Sequence, residues 1–253
     1  MENDRKKVLC FIGNHNRNEN SLRWLKLLCS KGFDAWIMDS GSDNPPVSDI
    51  GRVIKYDNIF TGGMYARSIG YVKLMKPEYL MHIDDDILID DENFEKLVER
   101  LDSIVKNKEI GIYQPSTSSK KECHNIFVNN VNAGSNDLRL TNSIEEWFYL
   151  IKSDIVLETD KYGINYSEDG KYGWGMGYLF CNACSDLGYP IVVDDYVVVE
   201  HPISVAGYDI KIASERCNTM LQKFNKTSEE IEKNCRKKNR KFNIKKLRDD
   251  LKL

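Results

Sequence analysis

No hydrophobic run in this 253-residue sequence is long enough to cross a membrane. The longest apolar stretches, such as IVV and YVVVE near residue 195, fall far short of the roughly 18–20 residues that a membrane helix needs. The first segment, MENDRKKVLCFIG, also lacks the long apolar stretch of a signal peptide. We therefore expect a cytoplasmic protein.

The sequence also lacks the cysteine patterns of disulfide-stapled and zinc-binding proteins. Its seven cysteines are an odd number at irregular spacings, in a chain too large to need disulfide staples. Cys181 and Cys184 form a CNAC pair that could be a redox or zinc half-site, but no second CxxC or HxxxH accompanies it. The helical pattern of LFCNACSDLGY favours cysteines buried in the core.

Net charge is nearly absent, yet it is unevenly distributed. The total is −3, whereas residues 209–253 hold 14 basic and seven acidic residues, and residues 1–208 therefore carry a net negative charge. With 41% hydrophobic residues the chain can bury a core. Its length and charge predict one domain over residues 1–208 and a basic helical extension over 209–253.

Strand and helix patterns alternate through the first half. Strands are predicted at 7–13, 33–43, 52–57 and 79–89, with helices from Ser21, over 61–76 and from Asp91, and a fifth strand at EIGIYQP. The segment 118–139 is polar, and 143–159 mixes aromatic residues with a helix start. The alternation favours an α/β fold with a mostly parallel sheet, whose ligands bind at the carboxyl ends of the strands.

Three adjacent acids, Asp84 to Asp86, follow an apolar strand. Burying them unpaired is costly, and Mg²⁺ or Mn²⁺ would relieve the cost because both prefer oxygen ligands. Strand alternation would place Asp84 and Asp86 on one face. The alternative is a solvated turn that caps the next helix, although Asp90 to Glu92 already suit that role.

Other polar residues also lie at predicted strand ends. His201, after YVVVE, either is structural or completes a metal site. Asp39, in DSGSD, either binds a ligand or caps a tight turn. Gly62 and Gly63, with Arg67 in the following helix, could bind an anion through free amides and the guanidinium.

Two further features are less specific. His15 and Arg17 lie in the loop after the first strand. Trp174, between two glycines, either stacks on a sugar or plugs the core, and Trp147 carries the same ambiguity.

Together these segments resemble a GT-A-fold glycosyltransferase of the family-2 type, over residues 7–208. DSGSD resembles the family's D-x-G-S-x-D segment, and HIDDD resembles its DxD motif. The GG…R form of GGMYAR is especially like the galactofuranosyltransferase branch. GWG, followed by a helix and a strand that ends in HP, resembles the acceptor-side segment.

The resemblance implies sugar transfer from a nucleotide-diphosphate sugar, with a UDP-sugar favoured, to a glycan or lipid-linked acceptor, as in bacterial surface polysaccharide synthesis. It implies a GT-A catalytic domain at 1–208, with Mn²⁺ or Mg²⁺ held by Asp84, Asp86 and His201. The implied contacts to the nucleotide sugar come from Asp39, Arg17, Gly63, Arg67, Asp84, Asp85 and Trp174.

One departure concerns the catalytic base. Many inverting members place an acid two residues after the GWG core, where this chain has Gly177. Either Glu168 or Asp169 supplies the base, or the enzyme retains configuration and needs no such base.

The basic extension has eight basic residues and no acid between Arg236 and Arg248. As an amphipathic helix, 236–248 could lie on an anionic membrane at the inner face, near a lipid-linked acceptor. The alternative is a solvated terminal helix.

Rival functions use the same acids or the same basic tail. A metal-dependent phosphohydrolase or a nucleotidyltransferase could use the three acids. The first class typically has an aspartate pair after the first strand and the second a glycine-rich segment with Arg or Lys, whereas this chain has GNHN there. An acidic domain without a recognised motif argues against nucleic-acid binding.

Overall fold

The computed structural model describes residues 2–118, 138–202 and 208–251. The strands are β1 (Val8–Asn14), β2 (Asp34–Ser40), β3 (Val53–Tyr56), β4 (Tyr79–Ile83), β5 (Ile112–Thr117), β6 (Leu138–Leu140), β7 (Phe148–Lys152) and β8 (Ile191–Val199). The helices are α1 (Glu2–Arg5), α2 (Asn18–Ser30), α3 (Phe60–Met75), α4 (Asp91–Asn107), α5 (Ser153–Asp160), α6 (Met176–Leu187), α7 (Ile210–Lys223), α8 (Ser228–Asn239) and α9 (Ile244–Asp250). Nearly all of the predicted loop 118–139 lies outside the described residues.

The described strands form a single mixed sheet in the order β3-β2-β1-β4-β7-β5-β8-β6. β1 pairs in parallel with β2 and β4, and β2 does so with β3. β7 then runs antiparallel to both β4 and β5, while β5 and β8 pair in parallel. The predicted α/β fold is therefore confirmed, with an antiparallel strand in the middle of the sheet.

The sequence pattern does not reveal β7. Its residues FYLIK are buried along almost the whole strand, so they lack the alternation of a half-exposed strand, and α5 begins immediately after Lys152. The predicted strand 79–89 is too long, because β4 ends at Ile83 and the acids that follow form a turn. This turn allows the three carboxylates to point in different directions.

The core has a layer on each face of the sheet. One layer packs α2 and α4 against the sheet, and the other packs α3, α5 and α6. Cys181 and Cys184 are fully buried in the second layer, which confirms the prediction of core cysteines. Burial raises the pKa of both thiols well above the ordinary value, so neither is a reactive thiolate.

The basic C-terminal segment folds against the body. Ile231 and Cys235 of α8 are fully buried, and Leu251 after α9 is nearly so. The prediction of one amphipathic helix over 236–248 is wrong, because α8 ends at Asn239 and α9 begins at Ile244. Apolar side chains from this region pack into the core, so they cannot also insert into a membrane. No helix among the described residues has the length and apolar character needed to span a membrane.

Gly62 allows α3 to approach the loop that precedes α6. Its N–H donates to the carbonyl of Lys171 at 3.0 Å. A Cβ at this position would lie 2.2 Å from the Gly170 carbonyl oxygen and 2.3 Å from that of Tyr166. Both obstacles are main-chain atoms that cannot rotate away, so the close approach requires glycine.

Gly62→Ala is expected to destabilise the fold by about 1–3 kcal/mol, because the new methyl group overpacks this contact. Gly70→Ala, in the same helix, is the matched control, since a Cβ at residue 70 would meet nothing within 4 Å. The control substitution should leave the free energy of unfolding unchanged or raise it by up to about 1 kcal/mol. Chemical denaturation of both variants measures the difference, and equal effects would contradict the close-packing role.

Candidate active site

The turn after β4 brings three carboxylates to the carboxyl end of the parallel strands. The Ile87 N–H donates to the Asp84 carbonyl at 3.2 Å and closes the turn. Asn20 of α2 donates to the carbonyls of Asp85 and Ile87, at 2.8 Å each. The acids are thus fixed by main-chain contacts to neighbouring elements.

Each of the three carboxylates has a different partner. Asp84 Oδ1 lies 2.8 Å from Nε2 of His82, a buried residue whose ring stacks on Tyr149. Asp85 Oδ2 accepts the His15 N–H at 2.6 Å. Burial raises the pKa of the Asp85 carboxyl to about 7, and the charges of Asp84 and Asp86 add to this effect.

Asp86 lies between two cationic side chains. Its Oδ2 is 3.1 Å from Arg17 Nη1 and 3.7 Å from His201 Nε2. His201 stacks on Trp147, with ring centroids 5.5 Å apart. Burial opposes the charged form of His201, but the carboxylates of Asp86 and Asp84 outweigh it and hold the pKa of the imidazole above its ordinary value. The carboxylate of Asp86 therefore lies where it can bind a cation.

The chemistry of this donor set fits a divalent cation. Within residues 2–118, 138–202 and 208–251, no three acidic, histidine or cysteine side chains are already gathered around one metal position. Asp86 and His201, however, approach each other as two ligands would. Mg²⁺ is commonly held by one or two carboxylates together with substrate phosphates and waters, so a pair of protein ligands suffices. Asp84 lies within electrostatic range of His201, and its role as a third ligand stays a prediction.

Asp39 is the centre of a polar network beside the acids. It is 1% exposed, accepts from Asn14 Nδ2 at 2.7 Å, and accepts from the hydroxyl of Ser42 at 2.5 Å. The bonds from Ser42 show that Asp39 does cap the turn through Gly41, as one of its two interpretations predicted. Its contact with a nucleotide base stays a prediction.

The glycine pair in α3 does not present free amides. The Gly62 N–H is bound to Lys171, and the Gly63 N–H donates to the Ile59 carbonyl at 3.1 Å. The expectation of an anion site built from unpaired amides is therefore wrong here, because both N–H groups already donate hydrogen bonds to main-chain carbonyls. Arg67 is exposed, with its guanidinium 5.6 Å from the centre of the Tyr56 ring. The contacts of Gly63 and Arg67 with a nucleotide sugar stay predictions.

Three aromatic residues, Trp174, Tyr208 and Tyr172, form a cluster through mutual contacts. Trp174 is 38% exposed, and its Nε1 donates to the Tyr208 hydroxyl at 3.1 Å. Tyr208 stacks on Tyr172 with centroids 4.6 Å apart. Burial raises the pKa of Tyr208, and the charges of Asp84 and Asp86 raise it further. Tyr208 lies outside the recognised motifs, so no sequence pattern pointed to it.

The two acids predicted as bases contact α7. Asp169 Oδ1 is 2.6 Å from Lys223 Nζ, and its Oδ2 accepts the Asn165 N–H at 3.2 Å. Glu168 has a largely exposed side chain whose carboxylate is 4.0 Å from Arg216. The contacts of both carboxylates therefore lie on the α7 side, and their catalytic role stays a prediction.

A further acid, Glu146, was missed by the sequence analysis. Its Oε1 accepts the N–H of Gly177 in the first turn of α6 at 2.8 Å. Glu146 precedes β7, in a segment that carries no recognised motif. Its position next to Gly177 depends on the pairing of β7 with β4, which the sequence pattern did not predict.

Solved structures similar to this chain share the GT-A fold. Glucosyl-3-phosphoglycerate synthase from Mycobacterium tuberculosis, in complex with Mn²⁺, UDP and glucosyl-3-phosphoglycerate, matches with a TM-score of 0.54 and 10% identity, over 89% of this chain and 83% of that one. GalNAc-T7 with UDP, GalNAc and Mn²⁺ matches with a TM-score of 0.52 and 11% identity, over 97% of this chain and 55% of that one. No protein-family model matches, and a search of curated proteins finds no similar sequence. The chain therefore has the GT-A fold of glycosyltransferases.

Asp85→Asn is expected to stabilise the protein at pH 8 and to stabilise it clearly less at pH 5. Because the folded state keeps a proton on Asp85 that the unfolded chain releases above about pH 4, the wild type loses stability as pH rises through 4 to 7. Asparagine removes this cost, and about three pKa units correspond to a gain in the free energy of unfolding of up to about 4 kcal/mol at pH 8.

The exposed Asp57→Asn serves as control and should show no such pH dependence. Thermal denaturation of both variants at the two pH values measures the effect. A gain for Asp85→Asn that is the same at pH 5 and pH 8 would contradict the burial account.

Proposed function

We propose that this chain is a metal-dependent glycosyltransferase that moves a sugar from a UDP-sugar to a glycan or lipid-linked acceptor. The observation that carries the proposal is the arrangement of Asp86, His201 and Arg17 at the carboxyl end of the parallel strands. These side chains can bind a cation and a diphosphate side by side. The synthase and GalNAc-T7, which have the same fold, bind UDP with Mn²⁺. We place the reaction in the synthesis of a bacterial surface polysaccharide.

The chain's own residues would bind and orient the donor. Asp39, at the end of β2, is held in one position by Asn14 and Ser42 and can receive a base N–H. Arg17 is partly exposed beside Asp86, so its guanidinium can turn from the carboxylate to a phosphate. Asp86 and His201 would hold Mn²⁺ or Mg²⁺, which neutralises the charge on the departing diphosphate.

UDP with Mn²⁺ is expected to raise the melting temperature of the wild type more than UDP alone. Asp86→Asn should remove the metal-dependent part, because it removes a carboxylate charge from the site. Asp39→Asn should weaken the stabilisation by UDP itself by about 1–3 kcal/mol, since a hydrogen bond to a charged group is lost.

Asp43→Asn is the control, because Asp43 is an exposed acid in the same loop as Asp39. Failure of UDP, GDP and dTDP alike to stabilise the wild type in the presence of Mn²⁺ would refute the glycosyltransferase proposal.

We further propose that the basic C-terminal region brings the enzyme to an anionic membrane through charge alone. Seven basic residues of α8, α9 and the turn between them are exposed: Lys233, Arg236, Lys237, Arg240, Lys241, Lys245 and Lys246. Basic residues near an anionic membrane contribute about 1 kcal/mol each, falling off within the Debye length. The apolar side chains of α8 and α9 stay in the core, so attachment would be peripheral and sensitive to salt.

Replacing Lys237, Lys241 and Lys245 with glutamate should abolish binding to vesicles that contain phosphatidylglycerol. Replacing Lys26, Lys55 and Lys106 with glutamate changes the net charge equally at exposed positions elsewhere and should leave more of the binding intact. Vesicle sedimentation at low and at physiological salt measures both. Equal binding by both triple variants would contradict a C-terminal membrane surface. Truncation is a poorer test, because removal of α8 would uncover the core.

A further inference from the structure

Position 177, where the resemblance to family-2 glycosyltransferases predicts an acid, has no room for a side chain. A Cβ on Gly177 would lie 2.4 Å from the main-chain carbonyl oxygen of Ile144. No side chain fits without movement of the segment that precedes β7. The glycine therefore reflects a close approach between that segment and α6.

Glu146 places a carboxylate at this same point. Its Oε1 accepts the Gly177 N–H at 2.8 Å, and its own main-chain N–H also stabilises the charged form. The same Oε1 would lie 3.3 Å from a Cβ at position 177. A carboxylate offers about four lone-pair positions, so two donors leave acceptor capacity for a ligand.

The main chain ties Glu146 to the metal-binding turn. The next residue, Trp147, accepts the Asp84 N–H at 2.9 Å through its carbonyl. The charge of Glu146 acts on the hydroxyl of Tyr208, which the charges of Asp84 and Asp86 also reach. Glu146 is therefore joined through the main chain to the turn of the three acids, and its charge reaches the hydroxyl of Tyr208.

We propose that Glu146 is the catalytic base of an inverting sugar transfer, an inference that rests on the proposed function. The acceptor hydroxyl gives its proton to the Glu146 carboxylate as its oxygen forms a bond to the anomeric carbon. The bond from that carbon to the diphosphate oxygen breaks, and the diphosphate leaves with the electron pair. No atom changes its oxidation state, and the proton rests on Glu146 until it is released to water.

The surroundings of Glu146 suit proton transfer near neutral pH. Burial raises the pKa of its carboxyl to about 8, the charges of Glu145 and Asp84 raise it further, and the Gly177 N–H opposes them. The charge of Glu146 also acts on titratable groups of β7, α6, α7 and the segment before α7, which are Tyr149, Tyr178, Cys181, Cys217 and Tyr208. A base is most effective when its pKa lies near the working pH. By contrast, the carboxylate of Asp169 forms an ion pair with Lys223 of α7.

The test measures UDP release from UDP-glucose, UDP-galactose, UDP-GlcNAc and UDP-GalNAc with Mn²⁺, with water as acceptor. Glu146→Gln keeps an oxygen that can accept the Gly177 N–H but cannot take a proton. We expect it to lower kcat by about 10²–10⁴-fold and to abolish the rise of kcat with pH that the wild type shows around pH 8. Glu99→Gln, the same substitution at an exposed position of α4, is the matched control and should keep the activity.

Binding and stereochemistry separate the possible failures. Stabilisation by UDP with Mn²⁺ should be equal in the wild type and Glu146→Gln, and NMR of the released sugar should show the inverted anomer first. If the wild type does not bind UDP with Mn²⁺, the proposed function fails. If it binds but Glu146→Gln keeps its kcat, changes only KM, or the product retains configuration, this inference alone is overturned. A wild type that binds UDP with Mn²⁺ but hydrolyses none of the four donors would also overturn it.

Discussion

The repulsion among three adjacent carboxylates is the constraint on which the rest of the site depends. They follow a buried strand, where negative charge is costly, and the fold surrounds them with compensating groups. His82 binds Asp84, the His15 amide binds Asp85, and Arg17 and His201 approach Asp86. These partners come from β4, from the loop after β1 and from the end of β8. The acids can therefore form one centre only when the parallel half of the sheet and β8 are both in place.

Two chemically different groups of side chains contribute to the candidate site. The group at the ends of β1, β2 and β4 is polar, with Asp39 held in a network that involves Asn14 and Ser42. The other group is aromatic, and Trp174 donates to the hydroxyl of Tyr208 there. In the proposed reaction the polar group binds the nucleotide and its diphosphate, the aromatic group binds the flat face of a sugar, and Glu146 takes the proton of the acceptor.

Local patterns predicted the parallel half of the fold and its strand-end loops, because alternation of strand and helix and the acids after β4 are visible within short windows. They could not predict β7, since a strand buried on both faces shows no alternation of polar and apolar residues, and its sequence does not indicate which strand it pairs with. Glu146 was missed for the same reason, because its position depends on that pairing. The prediction of a single amphipathic helix over 236–248 was wrong, because an amphipathic pattern is compatible with packing on a protein core as well as with packing on a membrane.

The most direct test of the account is an anomalous-scattering map of crystals grown with UDP and Mn²⁺. The account predicts one manganese peak in contact with a carboxylate oxygen of Asp86 and with Nε2 of His201, and the diphosphate of UDP on the other side of the ion. A manganese ion held elsewhere, or UDP bound away from the turn after β4, would contradict it.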